Sequence, residues 1–253
     1  MEETIKMAIK KCFSVIGYHN SGKTSLLTRM IPLIIERGYS VSTIKHATHL
    51  DIDRIESLKD SEVLFSAGSE KTVALGNDFA VIYSRSESIR SVLSQITSDV
   101  VIVEGFKDKP FPNILRAKDA FDAGRLLNEL TIACVLDEPS DRELSGVPVF
   151  SPEEIDEITD LALGRSFPPL PMFDCGRCGE GDCRGMASAV LKGKRRFEEC
   201  VALPSRVLLR VNGVSIPMKP FVEEVFASVI SALVETLKDR PKDIRRIEIA
   251  IDI

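Results

Sequence analysis

Residues Gly17–Thr24 have the types and spacing of a loop that binds phosphate. They match G-x-x-x-x-G-K-[ST] in full. Glycines let consecutive backbone N–H groups turn towards phosphate oxygens, and a helix predicted to begin near Lys23 directs its positive end to the same point. In this pattern the lysine reaches the β- and γ-phosphates, and the Ser or Thr hydroxyl ligates Mg²⁺. The alternative is a glycine turn without a ligand. The residues predicted to bind a nucleoside triphosphate here are Gly17, Asn20, Ser21, Gly22, Lys23 and Thr24.

A Mg²⁺ site beside such a loop also needs a carboxylate at the end of a neighbouring strand. Glu104 follows the apolar run Val100–Val103 and is our candidate, although it can equally be a solvated carboxylate. We therefore expect Thr24 and Glu104 to bind Mg²⁺, and Lys23 and Glu104 to be the catalytic residues of a slow hydrolysis. No residue stands out as a base that positions water. Other acids considered are Asp99 at the opposite end of the strand and Asp51, Asp53 and Asp60.

The base of the nucleotide is poorly specified. An Asn-Lys-x-Asp motif does not occur in the sequence. Asp137, just past the run Thr131–Leu136, is placed either to read a base or to be an ordinary loop residue. His46 and His49 follow a predicted strand, and we weigh contact with the ligand against ordinary loop histidines.

Four of the six cysteines are clustered, with the spacing Cys175-x2-Cys178-x4-Cys183-x16-Cys200. Four thiolates suit either a [4Fe–4S] cluster or structural zinc. The single short knuckle and distant fourth cysteine favour [4Fe–4S], with zinc and free thiols as alternatives. Glycines between the cysteines let N–H groups approach sulfur, and basic residues after them can offset negative charge. The remaining two, Cys12 and Cys134, are expected in the core.

Apolar strands alternate with helices around these residues. Continuous apolar runs are buried on both faces, so we predict an α/β fold of the P-loop NTPase type, with a mostly parallel sheet, helices on both faces and an antiparallel hairpin over 71–84. A helix is predicted over Pro152–Leu163, with Ser151 as its N-cap. A second is predicted over Met186–Phe197.

A proline-rich stretch near residue 167 suggests a boundary. We predict a nucleotide-binding domain over 1–166, a four-cysteine module over 167–203 and a small α+β unit over 204–253. This last unit reads as a hairpin around Asn212-Gly213, a helix over Pro220–Lys238 and a strand over Ile244–Ile253.

Composition excludes some classes of partner. The net charge is −5 and the pI about 5.4, which argues against a mainly electrostatic nucleic-acid binder. We find neither a signal sequence nor an apolar run long enough to span a membrane, and we expect a cytoplasmic protein.

The motifs of the first domain, taken together, resemble the MobB family of molybdopterin-guanine dinucleotide biosynthesis proteins. The resemblance is carried by Gly17–Thr24, by the stretches 44–49, 59–61 and 67–68, and by Val103-Glu-Gly-Phe-Lys107. It implies a GTP-binding protein with weak GTPase activity, usually a homodimer, that assists the guanylyltransferase joining GMP to molybdopterin. It also implies that Ser25 helps to hold phosphate, and that His46, Asp60 and Ser61 line the nucleotide.

The cysteine segment resembles the small iron–sulfur domain of corrinoid iron–sulfur proteins. Cys-Gly-x-Cys-Gly, a third Cys, a helix with alanines, a Gly-Lys pair and a last Cys occur in the same order. This resemblance implies a [4Fe–4S] cluster.

Three functional hypotheses follow. The first is an accessory protein that binds GTP and Mg²⁺ and supports guanylylation of molybdopterin or its tungsten analogue. The second is a redox-gated adaptor without turnover that docks on a metalloenzyme maturation partner. The third is an ATP-driven metallocofactor chaperone, which competition between ATP and GTP would distinguish from the first.

Overall fold

The computed structural model describes residues 9–46, 59–85, 88–139 and 141–203. Beyond residue 203 it describes 207, 209–212, 214–216, 218, 220–241, 244, 247, 249 and 251.

The chain alternates strands and helices over most of this length. The strands are β1 (Lys11–Ile16), β2 (Val41–Lys45), β3 (Lys71–Leu75), β4 (Ala80–Ser84), β5 (Val100–Glu104), β6 (Asn113–Ala117), β7 (Thr131–Leu136), β8 (Glu143–Leu144), β9 (Val147–Phe150), β10 (Leu209–Val211) and β11 (Val214–Ile216). The helices are α1 (Lys23–Glu36), α2 (Lys59–Ser66), α3 (Ile89–Ser94), α4 (Ala120–Leu126), α5 (Ile155–Arg165), α6 (Cys183–Leu191) and α7 (Pro220–Glu235).

Within the described residues, seven strands form the main sheet in the order β2-β5-β1-β6-β7-β9-β8. Pairing is parallel throughout except between β8 and β9. Neighbouring residues of a strand point to opposite faces, and both faces are covered. Phe13 packs against α1 and α5, while Cys12 lies in a second cluster with Leu93 of α3. The predicted α/β fold with a mostly parallel, doubly covered sheet is confirmed.

The β6 strand and the α4 helix were missed in the sequence. The β6 strand is buried along its whole length but contains Asn113 and Arg116, which break an apolar run. Asn113 is satisfied by the Thr131 hydroxyl, which donates to its side-chain oxygen at 2.9 Å. Because that partner comes from another strand, the local pattern does not reveal it.

Two predicted helix bounds were wrong. The α5 helix begins at Ile155, because Ser151 opens a turn instead of capping a helix, and the Glu154 carboxylate accepts the Ser151 backbone N–H at 2.8 Å. The α6 helix begins at Cys183 and ends at Leu191. Asp182 caps its start, and Gly193 stops it with a φ of 68°, a conformation that glycine adopts readily.

The predicted hairpins form as β3–β4 and β10–β11, both antiparallel. The hairpin β3–β4 packs against α2 through Phe65 and Tyr83, whose ring centroids are 5.8 Å apart. The strand predicted over 244–253 falls largely outside the described residues. No helix in the described part of the chain is long and apolar enough to cross a membrane.

Candidate functional site

The phosphate loop lies between the end of β1 and the start of α1, and its glycines are required by close contacts. A Cβ on Gly17 would lie 2.2 Å from the Arg116 carbonyl oxygen of β6, so no larger residue fits. Gly22 has a φ of 84°, in the left-handed region. Asn20 is also left-handed, with a φ of 58°. The sharp turn thus places the loop over the carboxyl ends of the central strands.

Lys23 and Ser21 present polar groups to the interior of this loop. The Lys23 ammonium donates to the carbonyl oxygens of Tyr18 at 2.5 Å and Gly17 at 3.3 Å. Partial burial lowers the pKa of Lys23 below its ordinary value, and the nearby Glu104 opposes that shift. The Ser21 hydroxyl is buried and finds no hydrogen-bond partner among the described residues. A buried polar group without a partner is costly, so the loop fits a phosphate that would accept from both residues.

Thr24 and Glu104 meet at the same edge of the sheet. The Thr24 hydroxyl lies 3.1 and 3.0 Å from the two carboxylate oxygens of Glu104. Parallel pairing of β1 with β5 places Val15 opposite Glu104 and so fixes this approach. The Glu104 side chain is only 13% exposed. Two oxygen donors at the mouth of a phosphate loop suit Mg²⁺, which prefers oxygen ligands and is usually shared with substrate phosphates.

Lys45 belongs to the same group, although the sequence did not single it out. Its ammonium lies 2.9 Å from Glu104 Oε1 and 3.3 Å from Thr24 Oγ1. It ends β2, which pairs with β5 so that Lys45 lies opposite Glu104. The signal was present in the sequence, because parallel strands end at a common edge, but it required knowledge of which strands are neighbours.

The remaining predicted nucleotide residues lie at different places. His46 follows Lys45, its backbone N–H donates to the Glu104 carbonyl at 2.9 Å, and its ring packs on Phe106 at 4.5 Å. Ser25 is exposed in the first turn of α1. Asp60 and Ser61 lie in the first turn of α2, and no hydrogen bond joins them to the phosphate loop within the described ranges. The stretch with His49, Asp51 and Asp53 lies outside the described residues.

Asp137 has a structural partner. Its carboxylate pairs with the Arg116 guanidinium, which is only 8% exposed. Arg116 also donates to the backbone carbonyls of Ala117 and Val135, and its guanidinium borders Gly22. This pair therefore ties the ends of β6 and β7 to the phosphate loop.

The other candidate acid of this strand, Asp99, is engaged elsewhere. It pairs with Lys10 at 2.6 Å and accepts from Ser40, at the opposite end of β5 from the loop. Asp99 is thus remote from the predicted metal site.

The four clustered cysteines gather in one region. Cys183 and Cys200 are buried, Cys178 is half-buried and Cys175 is exposed. Burial raises the pKa of Cys200, and the neighbouring Cys178 and Cys175 add to that rise. Burial likewise raises the pKa of Cys183, to which Cys200 contributes. Cys12 and Cys134 lie in the core, as predicted.

The backbone around these cysteines is tightly turned. Gly176, Gly179 and Gly181 have φ values of 63°, 86° and 77°, and a Cβ on Gly176 would lie 2.7 Å from the Gly181 carbonyl oxygen. Only glycine suits such a turn. Four thiols, together with backbone N–H groups in the tight glycine turns between them, suit the chemistry of an iron–sulfur cluster. In the described part of the chain, however, no three His, Cys, Asp or Glu side chains are already placed to hold a metal ion.

Arg195 contacts the backbone of the cysteine segment. It donates to the Cys178 carbonyl at 3.3 Å and pairs with Glu180 and Glu199. Since two carboxylates already balance its charge, Arg195 serves first to hold the segment together.

The cysteine segment packs directly on the sheet domain. The Cys12 backbone N–H donates to the Phe167 carbonyl at 2.8 Å. Arg184 of α6 pairs with Glu129 and donates to the Lys107 carbonyl at 3.1 Å. Lys107 is in the loop that follows Glu104, so the segment contacts a connection leading to the predicted Mg²⁺ site.

Two family models match the chain. "Molybdopterin guanine dinucleotide synthesis protein B" matches residues 12–137, and "Putative Fe-S cluster" matches residues 170–202. The second match covers all four clustered cysteines. The comparisons do not confirm the resemblance to corrinoid proteins.

Two relatives agree with the first model, and one solved structure shows the same fold. A Methanocaldococcus jannaschii protein, described as a "putative molybdopterin-guanine dinucleotide biosynthesis adapter protein", is 32% identical over 93% of this chain and 96% of its own length. An adapter protein of the same name from Haemophilus influenzae is 34% identical over 40% of this chain and 60% of its own length. The crystal structure of Bacillus subtilis MobB shares the fold, with a TM-score of 0.53 and 24% identity over 61% of this chain and 96% of that one. Because the Methanocaldococcus jannaschii protein is 32% identical over nearly the full length of both chains, the chain belongs to the MobB family of molybdopterin-guanine dinucleotide biosynthesis proteins.

Proposed function

We propose that this protein binds GTP with Mg²⁺, hydrolyses it slowly and supports the guanylylation of molybdopterin or its tungsten analogue. The observation that carries the proposal is the convergence of Lys23, Thr24 and Glu104 at one edge of the sheet. Lys23 would bind the β- and γ-phosphates and stabilise charge that develops when water attacks. Mg²⁺, held by Thr24 and Glu104, would supply further neutralisation of phosphate charge.

The choice of guanine rests on family membership, and it is tested by competition. A fluorescent GTP analogue is bound to the full chain with Mg²⁺ and displaced with unlabelled GTP, GDP or ATP. We expect GTP to displace it at lower concentration than ATP. Displacement by ATP at the lower concentration would favour the ATP-driven metallocofactor chaperone instead.

The role in cofactor synthesis is supported by the names of the relatives, which place them in molybdopterin-guanine dinucleotide biosynthesis. The proposed partners are the guanylyltransferase and molybdopterin or its guanine dinucleotide. In an assay with purified guanylyltransferase, GTP and molybdopterin, wild-type protein should raise the yield of dinucleotide, and the Lys23→Ala variant should not. Equal yields with either protein would contradict this role.

We further propose that the protein is a cytoplasmic homodimer whose chain divides into domains at 1–166, 167–203 and 204–253. The dimer is tested by light scattering of the full chain across a concentration series. A mass equal to one chain of 27.9 kDa at every concentration would contradict it.

The second part of the proposal is a [4Fe–4S] cluster on Cys175, Cys178, Cys183 and Cys200. It is supported by the match of residues 170–202 and by the shared apolar cluster in which Cys183 and Cys200 are buried and Cys178 packs against them. Anaerobic purification with iron, sulfide and zinc counts tests it. About four irons and four sulfides per chain are expected for this cluster type, whereas one zinc without sulfide would establish the zinc alternative.

A redox-gated adaptor is the second candidate function. It is favoured by one specific contact, because Arg184 of the cysteine segment holds the loop that joins Glu104 to β6. Reduction of the cluster would then alter nucleotide or partner binding through this loop. Unchanged affinities for GTP and for the partner after cluster reduction, and in the Cys200→Ser variant, would rule out gating.

A further inference from the structure

Lys45 makes contacts that resemble those of a metal ion. Its ammonium lies 2.9 Å from Glu104 Oε1 and 3.3 Å from Thr24 Oγ1. These are the two side chains predicted to ligate Mg²⁺, and the pairing of β2 with β5 sets Lys45 directly opposite Glu104. One positive group thus already balances the carboxylate.

Lys45 is also free to leave. Its side chain is 59% exposed, whereas that of Glu104 is 13% exposed. An exposed lysine pairs only weakly, because water competes for its charge and the long side chain loses freedom when held. A divalent ion and an ammonium bound to the same carboxylate oxygen would repel each other, so the entry of one disfavours the other.

We propose that Lys45 occupies the Mg²⁺ position between Thr24 and Glu104 when no nucleotide is bound. This rests on the proposed role of Thr24 and Glu104 as Mg²⁺ ligands. The ammonium keeps the two oxygens oriented and lowers the affinity for metal alone. The nucleotide phosphates then bring the extra negative charge that lets Mg²⁺ displace Lys45, so metal and nucleotide enter together.

The test is a titration of the nucleotide-free full chain with Mn²⁺ alone. Electron paramagnetic resonance of the free ion measures how much Mn²⁺ remains unbound. Lys45→Met keeps the apolar stem and removes the charge. We expect its affinity for Mn²⁺ to exceed that of wild type by at least about threefold, the scale of an exposed ion pair. Lys45→Gln is measured beside it as a second neutral replacement. Combining Lys45→Met with Glu104→Gln should remove the gain, which locates the Mn²⁺ at this carboxylate.

Lys10→Met is the matched control. Lys10 pairs with Asp99 at the opposite end of the same strand, and its side chain is 50% exposed. We expect no change in Mn²⁺ affinity from this variant. Affinity in both Lys45 variants that equals or falls below that of wild type, including no measurable binding in any protein, would overturn the proposal. GTP binding that does not depend on Mg²⁺ would instead contradict the proposed metal site itself, so the two failures are distinguishable.

Discussion

At the residue scale, charged groups around the phosphate loop are held by partners from other strands. Lys23 and Lys45 both lie near Glu104, and Arg116 is buried beside Gly22 with Asp137 as its ion-pair partner. A buried guanidinium that loses its carboxylate keeps its desolvation cost. The loop therefore depends on residues that contribute no atom to the phosphate-binding motif.

We predict that Asp137→Asn lowers the free energy of unfolding by about 1–2 kcal/mol, because Arg116 loses a charged acceptor while Asp137 itself is half exposed. Urea denaturation measures this. Glu138→Gln, at the exposed neighbouring position, is the control and should change the free energy of unfolding little. A fully stable Asp137→Asn protein would contradict the structural role of the pair.

If Asp137 also reads the base, the Asp137→Asn variant would lose part of its preference for GTP over ATP.

The pair of Asp99 and Lys10 makes stability depend on pH. The Lys10 ammonium, followed by the hydrogen bonds from Ser40, lowers the pKa of Asp99 from 3.8 to about 2. A carboxyl group whose pKa is lowered by folding stabilises the fold at pH values above its ordinary pKa. This stabilisation is lost as the pH falls through the lowered pKa of the folded state. The difference in unfolding free energy between wild type and Asp99→Asn should therefore shrink as pH falls from about 4 to about 2. A difference that does not change over this window would contradict the assignment.

The phosphate-loop motif could be predicted from the sequence because Lys23 and Thr24 lie side by side in it. Lys23 and Thr24 follow from the loop pattern, and Glu104 follows from its place after an apolar strand. The positions of Lys45 and Arg116 at the site depend on which strands are neighbours in the sheet. The order of strands in a sheet cannot be read from a local stretch of sequence. The sequence likewise predicted Asp60 and Ser61 at the nucleotide only through resemblance, and their role stays a prediction.

At the element scale, the phosphate loop is fixed by the contact between β1 and β6. Gly17 touches the Arg116 carbonyl of β6. The strand β6 was not predicted, because the partners of its polar residue Asn113 are Thr131 of β7 and Asn128 in the turn before that strand. The local pattern therefore predicted the loop, while the strand that supports it became visible only in the sheet.

Two glycine substitutions should have opposite effects. Gly17→Ala places a Cβ 2.2 Å from a backbone oxygen that cannot move easily, so we expect a loss of about 2 kcal/mol or more and no GTP binding. Gly164→Ala, within α5 and with open space around it, should stabilise by about 0.5–1 kcal/mol through helix propensity. Thermal or urea unfolding compares the two. Equal effects would show that the contact at Gly17 does not constrain the loop.

At the scale of the whole molecule, the cysteine segment and the sheet domain form a continuous packing unit. Leu130 of the sheet domain shares a buried cluster with Cys183 and Cys200. The sequence predicted the cysteine set and a boundary near residue 167, because composition changes there. It did not predict the contacts across the boundary, which join residues far apart in the chain.

Arg184→Met should loosen this packing. It removes the ion pair with Glu129 and the bond to the Lys107 carbonyl, so we expect faster amide hydrogen exchange over residues 170–202, by roughly fivefold, with β1 and β5 unchanged. Arg177→Met, at an exposed position of the same segment, is the control. Identical exchange in both variants would show that Arg184 does not hold the segment.

The proposed function requires Gly17–Thr24 and Glu104 to form one site for GTP and Mg²⁺. Isothermal titration of GTP into the full chain, with Mg²⁺ and then with a chelator, tests it most directly. We expect saturable binding by wild type that weakens without Mg²⁺, and an affinity at least about 100-fold lower in Lys23→Ala, because a partly buried charged contact to phosphate is removed. GTP binding of equal affinity in wild type and Lys23→Ala, or no binding by the wild type, would contradict it.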